Sequence, residues 1–277
     1  MPVDARRLIR KMRGGAQSHL IEAADGHFYV VKFRNNPQHR RVLVNEWVAN
    51  TLLEYLQITV PKHAIVRLSP EFIADSPDLY IQVGNHKEPV PPGWHFGSRY
   101  PGNPARDAVY DFVPDVLLGK VGNASDFLGI LAFDKWVGNA DARQAIFIRA
   151  RLRDYAPSYA DHPLRVGFIA LMIDHGYVFN GPNWDYAGAA VTGLYFRPSV
   201  YANVRSFADF QPWLERIVEF PEVVIDDSLR ELPPEWLNGD SGQLHTLLEK
   251  LMLRRRQVPD LIRECARGRL KFFPNWL

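Results

Sequence analysis

The chain has 277 residues, of which 47% are hydrophobic and 23% charged, with a formal net charge of +2. This is the composition of a globular protein long enough to bury a core unaided, and so small a charge argues against direct binding of nucleic acid or a membrane surface. One cysteine, Cys265, leaves no intramolecular disulfide and favours a reducing compartment.

The first stretch, MPVDARRLIRKMRGG, is basic but lacks the apolar segment of a signal peptide, and no apolar run approaches the roughly 20 residues of a membrane helix. A cytoplasmic protein is expected. Next, residues 18–33 read as a β-hairpin with Asp25-Gly26 at its turn. RRVLVNEWVANTLLEYLQI places Val44, Trp47, Val48, Leu52, Leu53 and Leu56 at helical spacing. VPKHAIVRLSPEFI reads as one or two strands and residues 78–83 as another. An α+β fold is therefore expected, with residues 1–84 forming a small lobe rich in strands around one main helix.

Residues 85–108 are rich in Gly and Pro, and read as a linker or long loop at the lobe boundary. Within it, HFGSRYPGNP reads as a functional loop whose Ser98 and Tyr100 are candidate self-modification sites. Residues 109–277 then turn mostly helical. SDFLGILAFDKWV has Ser125 as its expected N-cap. After a break at Gly138-Asn139 the chain offers Asp141 and resumes as an apolar strand. RVGFIALMIDHG is a buried strand or strand pair ending in a polar turn. LRRR, residues 253–256, reads as a solvated helix face or a contact for an acidic partner. The nine histidines form neither an H-E-x-x-H nor a Cys/His pattern, and no G-x-S-x-G is present.

The chemistry is carried by an ordered set. Gly14, Gly15, Ala16, Gln17 and Ser18 form a glycine-containing stretch that could bring backbone N–H groups to an anion. Lys32 stands in an apolar strand, facing opposite to Val31 and Phe33. Glu46 lies on the following helix, where it could hold Lys32 extended. Asp141 sits in a turn between two buried elements, as a general base must be fixed. Asp174 ends a strand before a Gly turn, a natural place for a hard-cation ligand. Singly, these are a flexible turn, a surface lysine, a helix-surface carboxylate and two turn-forming aspartates. In this order they follow protein-kinase-like phosphotransferases, with the nucleotide in a cleft between lobes.

The stretches RGGAQSHLIEAADGHFYVVKF, LVNEWVANTLLEYLQI, FDKWVGNADARQAIF and MIDHGYVF resemble the HipA-like kinases of bacteria. The tail LPPEWL with LHTLLEKLMLRRRQVPDLI is similar to that family's smaller, single-domain branch. The resemblance implies a single bilobal, protein-kinase-like domain using ATP and Mg²⁺, and its best-known members are serine kinases paired with an antitoxin. It implies a phosphate-covering loop at Gly14 to Ser18, a nucleotide lysine at Lys32 with Glu46 as partner, a catalytic Asp141 and a metal-binding Asp174. The family commonly has His two residues and a metal-binding Asn five residues after the catalytic Asp. Here Arg143 and Ile146 stand there. Ile146 has no oxygen, and Gln144 could supply an amide oxygen instead. Asp134, seven residues before Asp141, is either an anchor for that turn or an ordinary helix carboxylate.

Three functions stay open: a serine/threonine protein kinase, a nucleotide-binding pseudokinase acting through protein contacts, and a kinase of small molecules or lipids. The acceptor and an antitoxin-like protein partner are not named by the sequence.

Overall fold

A computed structural model of the chain describes residues 2–187, 192–268 and 272–277. In chain order it opens with strands β1 (Val3–Lys11), β2 (His19–Ala23) and β3 (Phe28–Lys32), then helix α1 (Arg41–Tyr55), strand β4 (His63–Leu68) and the short helix α2 (Pro70–Ala74). Strands β5 (Tyr80–Val83), β6 (His86–Pro89) and β7 (Gly93–Arg99) follow. Strands β1, β2, β3, β7 and β4 close into a barrel in that spatial order, while β5 and β6 pair as a separate hairpin.

The expected hairpin forms, with Gly26 left-handed at φ 79 and Asp25 accepting from His27 N–H and from the Tyr29 hydroxyl. Two elements depart from the expectation. The basic opening stretch is β1: Val3, Ala5 and Leu8 turn onto the barrel core and leave the arginines outside. The stretch 85–108, expected as a linker, holds β6 and β7. β7 pairs with both β3 and β4, so Ser98 is part of a strand and not of a loop. Gly97 is required there, because a Cβ would lie 2.5 Å from Val66. VPKHAIVRLSPEFI gives one strand and one helix turn capped by Ser69, whose hydroxyl accepts from Phe72 N–H.

The remainder carries β8 (Val109–Tyr110), α3 (Asp115–Leu118), α4 (Asp126–Val137), β9 (Gln144–Arg151) and β10 (Val166–Ile173). Helices α5 (Trp213–Val218), α6 (Glu222–Arg230), α7 (Pro234–Leu237), α8 (Ser241–Arg254) and α9 (Val258–Arg267) complete it. β10, β9 and β8 make a three-stranded sheet, with Gln144 opposite Ile173 and Ile146 opposite Leu171. Ser125 stands at the α4 cap position but makes no side-chain cap bond. Asp126 instead accepts from Thr59 N–H and from the Asn123 amide. Arg254 of the LRRR run is structural: it donates to the Lys135 and Trp136 carbonyls at the end of α4, where a cation meets the helix dipole.

Helix α1 is buried nearly all round, from Val42 to Leu53 with only Thr51 partly open. It packs on the barrel side through Phe96 and on α6 and α7 through Trp47, so the main core is continuous from α1 to α9. A helix enclosed in this way must place its polar residues against partners, and Asn45, Glu46 and Asn50 are all hydrogen-bonded. This helix and the ends of β3, α4, β9 and β10 surround the candidate site.

Candidate functional site

Lys32 ends β3 and turns away from the barrel core that Val31 and Phe33 fill. Its ammonium meets the Glu46 carboxylate of α1 and, at 2.7 Å, Oδ1 of Asp174. The Lys32 and Glu46 side chains are 10% and 3% exposed, whereas that of Asp174 is 36% exposed, so the cluster is closed on one side and open on the other. Burial alone would lower the Lys32 pKa, but the two carboxylates outweigh it and hold the ammonium above its usual range. Burial raises the Glu46 carboxyl against the pull of Lys32. Lys32 holds the Asp174 carboxyl below its usual range. Glu46 is fixed further by His175 N–H at 3.0 Å.

Asp174 has φ 61, a left-handed conformation that side chains seldom adopt. Its second oxygen accepts from Gln144 Nε2 at 2.9 Å. Gln144 is the first residue of β9 and points along the same sheet face as Ile146. Ile146 packs beside Ile148, Ile169 and Leu171 in a small apolar cluster.

Asp141 lies in the turn from α4 to β9. Gly138 ends the helix in the left-handed region at φ 61, and Asn139 Oδ1 accepts from Asp141 N–H at 3.0 Å. Asp141 is exposed, with Oδ1 on Ala142 N–H at 2.7 Å. The turn is tied to the chain beyond β10 by Ala140 N–H on the Tyr177 carbonyl, 3.0 Å, and to the segment 193–194 by two further backbone bonds. Asp134 is the anchor of this turn: it is buried, and it accepts from Asn139 Nδ2 at 3.0 Å and from Nε and Nη2 of Arg143.

The structure thus brings Lys32, Glu46, Asp174 and Gln144 into direct contact and braces Asp141 against the same segment. The glycine stretch is built differently from the expectation. Met12 N–H closes it on the Ser18 carbonyl at 2.8 Å, with Gly14 at φ 114. Gln17 is already engaged: its amide exchanges two hydrogen bonds of 2.8 Å with the backbone of Gln82 on β5. Ser18 is buried, and Gly14 and Gly15 remain exposed with Ala16 half-buried.

Sequence reasoning missed two residues that shape the site. Asn45 donates to the carbonyls of Gly176, Val178 and Gly181 and accepts from Trp184 Nε1, which pins the segment after Asp174 to α1. His175 is buried beside Arg143, and burial, with that cation next to it, pushes its pKa well down. An Asn one residue before Glu46 on a helix without a polar face is the one signal that pointed to Asn45.

The open donor set of Asp174 and Gln144 is made of hard oxygens, once the Gln144 amide turns its carbonyl inward. Among the described residues no group of three or more His, Cys, Asp or Glu side chains could form a metal cage by itself. Such a set suits a divalent cation that takes most of its ligands from water and phosphate, as Mg²⁺ does.

A Golgi casein kinase structure with Mn/ADP bound matches with a TM-score of 0.51 at 12% identity, over 96% of this chain and 74% of that one. A second Golgi casein kinase structure matches with a TM-score of 0.50 at 13% identity over the same shares. The fold is protein-kinase-like, with mixed α and β content. No curated protein matches the sequence, and no helix among the described residues is long and apolar enough to cross a membrane. The model of the HipA-like kinases matches residues 6–147, just over half of the chain. The chain belongs to the HipA-like kinase family, a family of kinase-type phosphotransferases.

Proposed function

We propose that the chain is an ATP- and Mg²⁺-dependent phosphotransferase acting on an alcohol group, of the serine/threonine protein kinase type. The observation that carries this reading is Lys32 shared between Glu46 of α1 and Asp174, 142 residues away in the chain. An ammonium held there, beside an open carboxylate, is placed to meet phosphate and cation together. We read the barrel with α1 as one lobe and the chain from β8 onward as the other. Since β7 joins the barrel, we place their boundary in the later part of the stretch 85–108, after Arg99.

When bound, ATP with Mg²⁺ supplies the phosphoryl group and neutralises part of its charge. Asp174 and the Gln144 amide oxygen are the residues that would hold the cation. Lys32, kept extended by Glu46, offsets phosphate charge. The exposed backbone of Gly14 and Gly15 is the part of the glycine stretch that faces outward for phosphates. Asp141 accepts the proton of the acceptor hydroxyl, and Asn139 keeps its turn from drifting.

Ile146 favours a second reading. It is packed in an apolar cluster where the family commonly has a metal-binding Asn, so a nucleotide-binding protein that transfers no phosphate is the alternative. Incubation with γ-labelled ATP and Mg²⁺, beside Asp141→Asn, separates them. Label passing from ATP to protein with the wild type only is expected. No label from either, with ATP still raising the melting temperature, is the result expected of the second reading or of a missing acceptor.

A further inference from the structure

Arg143 and Asp134 form a fully enclosed pair, each side chain 0% exposed. Arg143 stands in the turn of Asp141 but reaches the turn of Asp174. We propose that Arg143 is a positioning residue: anchored on Asp134, it clamps the chain on both sides of Asp174 and so sets the direction of that carboxylate. The inference deepens the phosphotransferase reading and rests on it for the role of Asp174.

Four of the five guanidinium N–H groups are accounted for. Nε and Nη2 lie on the two oxygens of Asp134. Nη1 donates to the Ile173 carbonyl and meets His175 Nδ1, both at 2.9 Å. A guanidinium only donates, so His175 Nδ1 is the acceptor, and this fixes its ring as one tautomer. The residues held are the immediate neighbours of Asp174, whose backbone sits at φ 61. A left-handed Asp persists where its surroundings over-determine it. Lys32 and Gln144 hold the carboxylate itself, but both would be drawn to other partners once phosphate and cation arrive. Arg143 holds the Ile173 carbonyl and the His175 ring on either side of Asp174 and touches neither.

The far end of the strut is equally fixed. Asp134 also accepts from Asn139 Nδ2, and Asn139 orients Asp141 N–H. Gly193, at φ 74, leaves no slack, since a Cβ there would lie 2.5 Å from Asp134 Cβ. One buried carboxylate thereby orients the turn of Asp141 and, through Arg143, the turn of Asp174. Lysine would keep the charge but not the clamp, because a single ammonium cannot cover Asp134 and reach two further acceptors.

Arg143→Lys tests the assignment by hydrogen exchange over residues 172–178 and by Mg²⁺ titration of phosphate transfer. A melting temperature within roughly 3 °C of wild type is expected. Exchange around Asp174 should quicken about tenfold, and the Mg²⁺ needed for half-maximal transfer should rise about 10- to 100-fold. Wild-type exchange and wild-type Mg²⁺ dependence in a folded Arg143→Lys would overturn the proposal. If that variant does not fold, the charge-free pair Asp134→Asn with Arg143→Met takes its place with the same outcomes. If the wild type transfers no phosphate, the phosphotransferase reading fails separately, and the exchange comparison still decides the role of Arg143.

Discussion

Two buried cations lie within one site, and they are held in opposite ways. Arg143 is spread over Asp134, a carbonyl and a ring nitrogen, with no solvent on either partner. Lys32 is a point charge between one enclosed carboxylate, Glu46, and one open carboxylate, Asp174. The first arrangement is enclosed, with four of its five N–H groups engaged, and presents no open face to a ligand. The second has a partner it could exchange: in the proposed reaction Lys32 would keep Glu46 while phosphate took the place of Asp174, which would leave Asp174 for a cation. On that reading the difference separates scaffold from chemistry.

The largest expected effect comes from breaking the exchangeable cation. Lys32→Met should lower phosphate transfer by about 10²- to 10³-fold, since it removes a preorganised charge from the phosphates. It also strands Glu46, at a cost of about 3–5 kcal/mol of stability, measured by chemical denaturation. Restoring stability with Glu46→Gln in the same chain should leave transfer lost, which is what sets a working cation apart from a structural one.

Arg143→Met should destabilise by a similar 3–5 kcal/mol, because Asp134 is left buried without its partner. Asp134→Asn added to it should recover most of that loss in the same denaturation assay. Affinity for nucleotide in the absence of metal should stay within about twofold of wild type, since the hydrogen bonds of Arg143 go to Asp134, Ile173 and His175 and none reaches Lys32 or Glu46.

A smaller effect lies in the barrel, away from both cations. His95 of β7 is enclosed, accepting from Arg34 N–H through Nδ1 and bonded to the Pro91 carbonyl through Nε2, both at 3.0 Å. Burial, with the Arg34 charge nearby, holds its pKa down to about 4. The unfolded value is about 6.5, so the unfolded chain takes up the proton first as pH falls. The stability this neutral ring contributes is present above pH 6.5 and is lost between about 6.5 and 4, by about 3 kcal/mol in all. A denaturation series across that range should show the slope in the wild type and a shallower one in His95→Gln.

The smallest effect is expected at Gln17. Gln17→Ala removes the two bonds to Gln82 and should cost about 1–2 kcal/mol, with nucleotide affinity changed less than by Lys32→Met. A loss of affinity as large as that of Lys32→Met would return Gln17 to the nucleotide site.

How much of this was legible in the sequence depended on whether the signal was local. Lys32, Glu46, Asp141 and Asp174 each stand in a short stretch whose pattern carries them, and the hairpin before Lys32 announces itself by Asp25-Gly26. β7 was hidden because its glycines, needed where Gly97 meets Val66, are also the mark of a loop. β1 was hidden because its arginines face solvent from a strand whose apolar face is interrupted by register shifts. Helix α1 shows no polar face, since it is enclosed on nearly all sides, so its spacing does not say which partners Asn45 meets. Asn45 meets carbonyls 131 to 136 residues away, and Arg143 meets Ile173 and His175 across a strand pair. Contacts of that range follow from the closed fold and leave no trace in periodicity.

In the proposed function Lys32 is the cation that meets the nucleotide. Calorimetric titration of ATP with Mg²⁺ into the wild type, into Lys32→Met with Glu46→Gln, and into Arg143→Lys tests it. Loss of affinity of about tenfold or more is predicted for the Lys32 pair. Arg143→Lys should lose less, and only through the metal. Equal affinity of the wild type and the Lys32 pair would contradict the account, because the cluster of Lys32, Glu46 and Asp174 would then be a structural ion pair and nothing more.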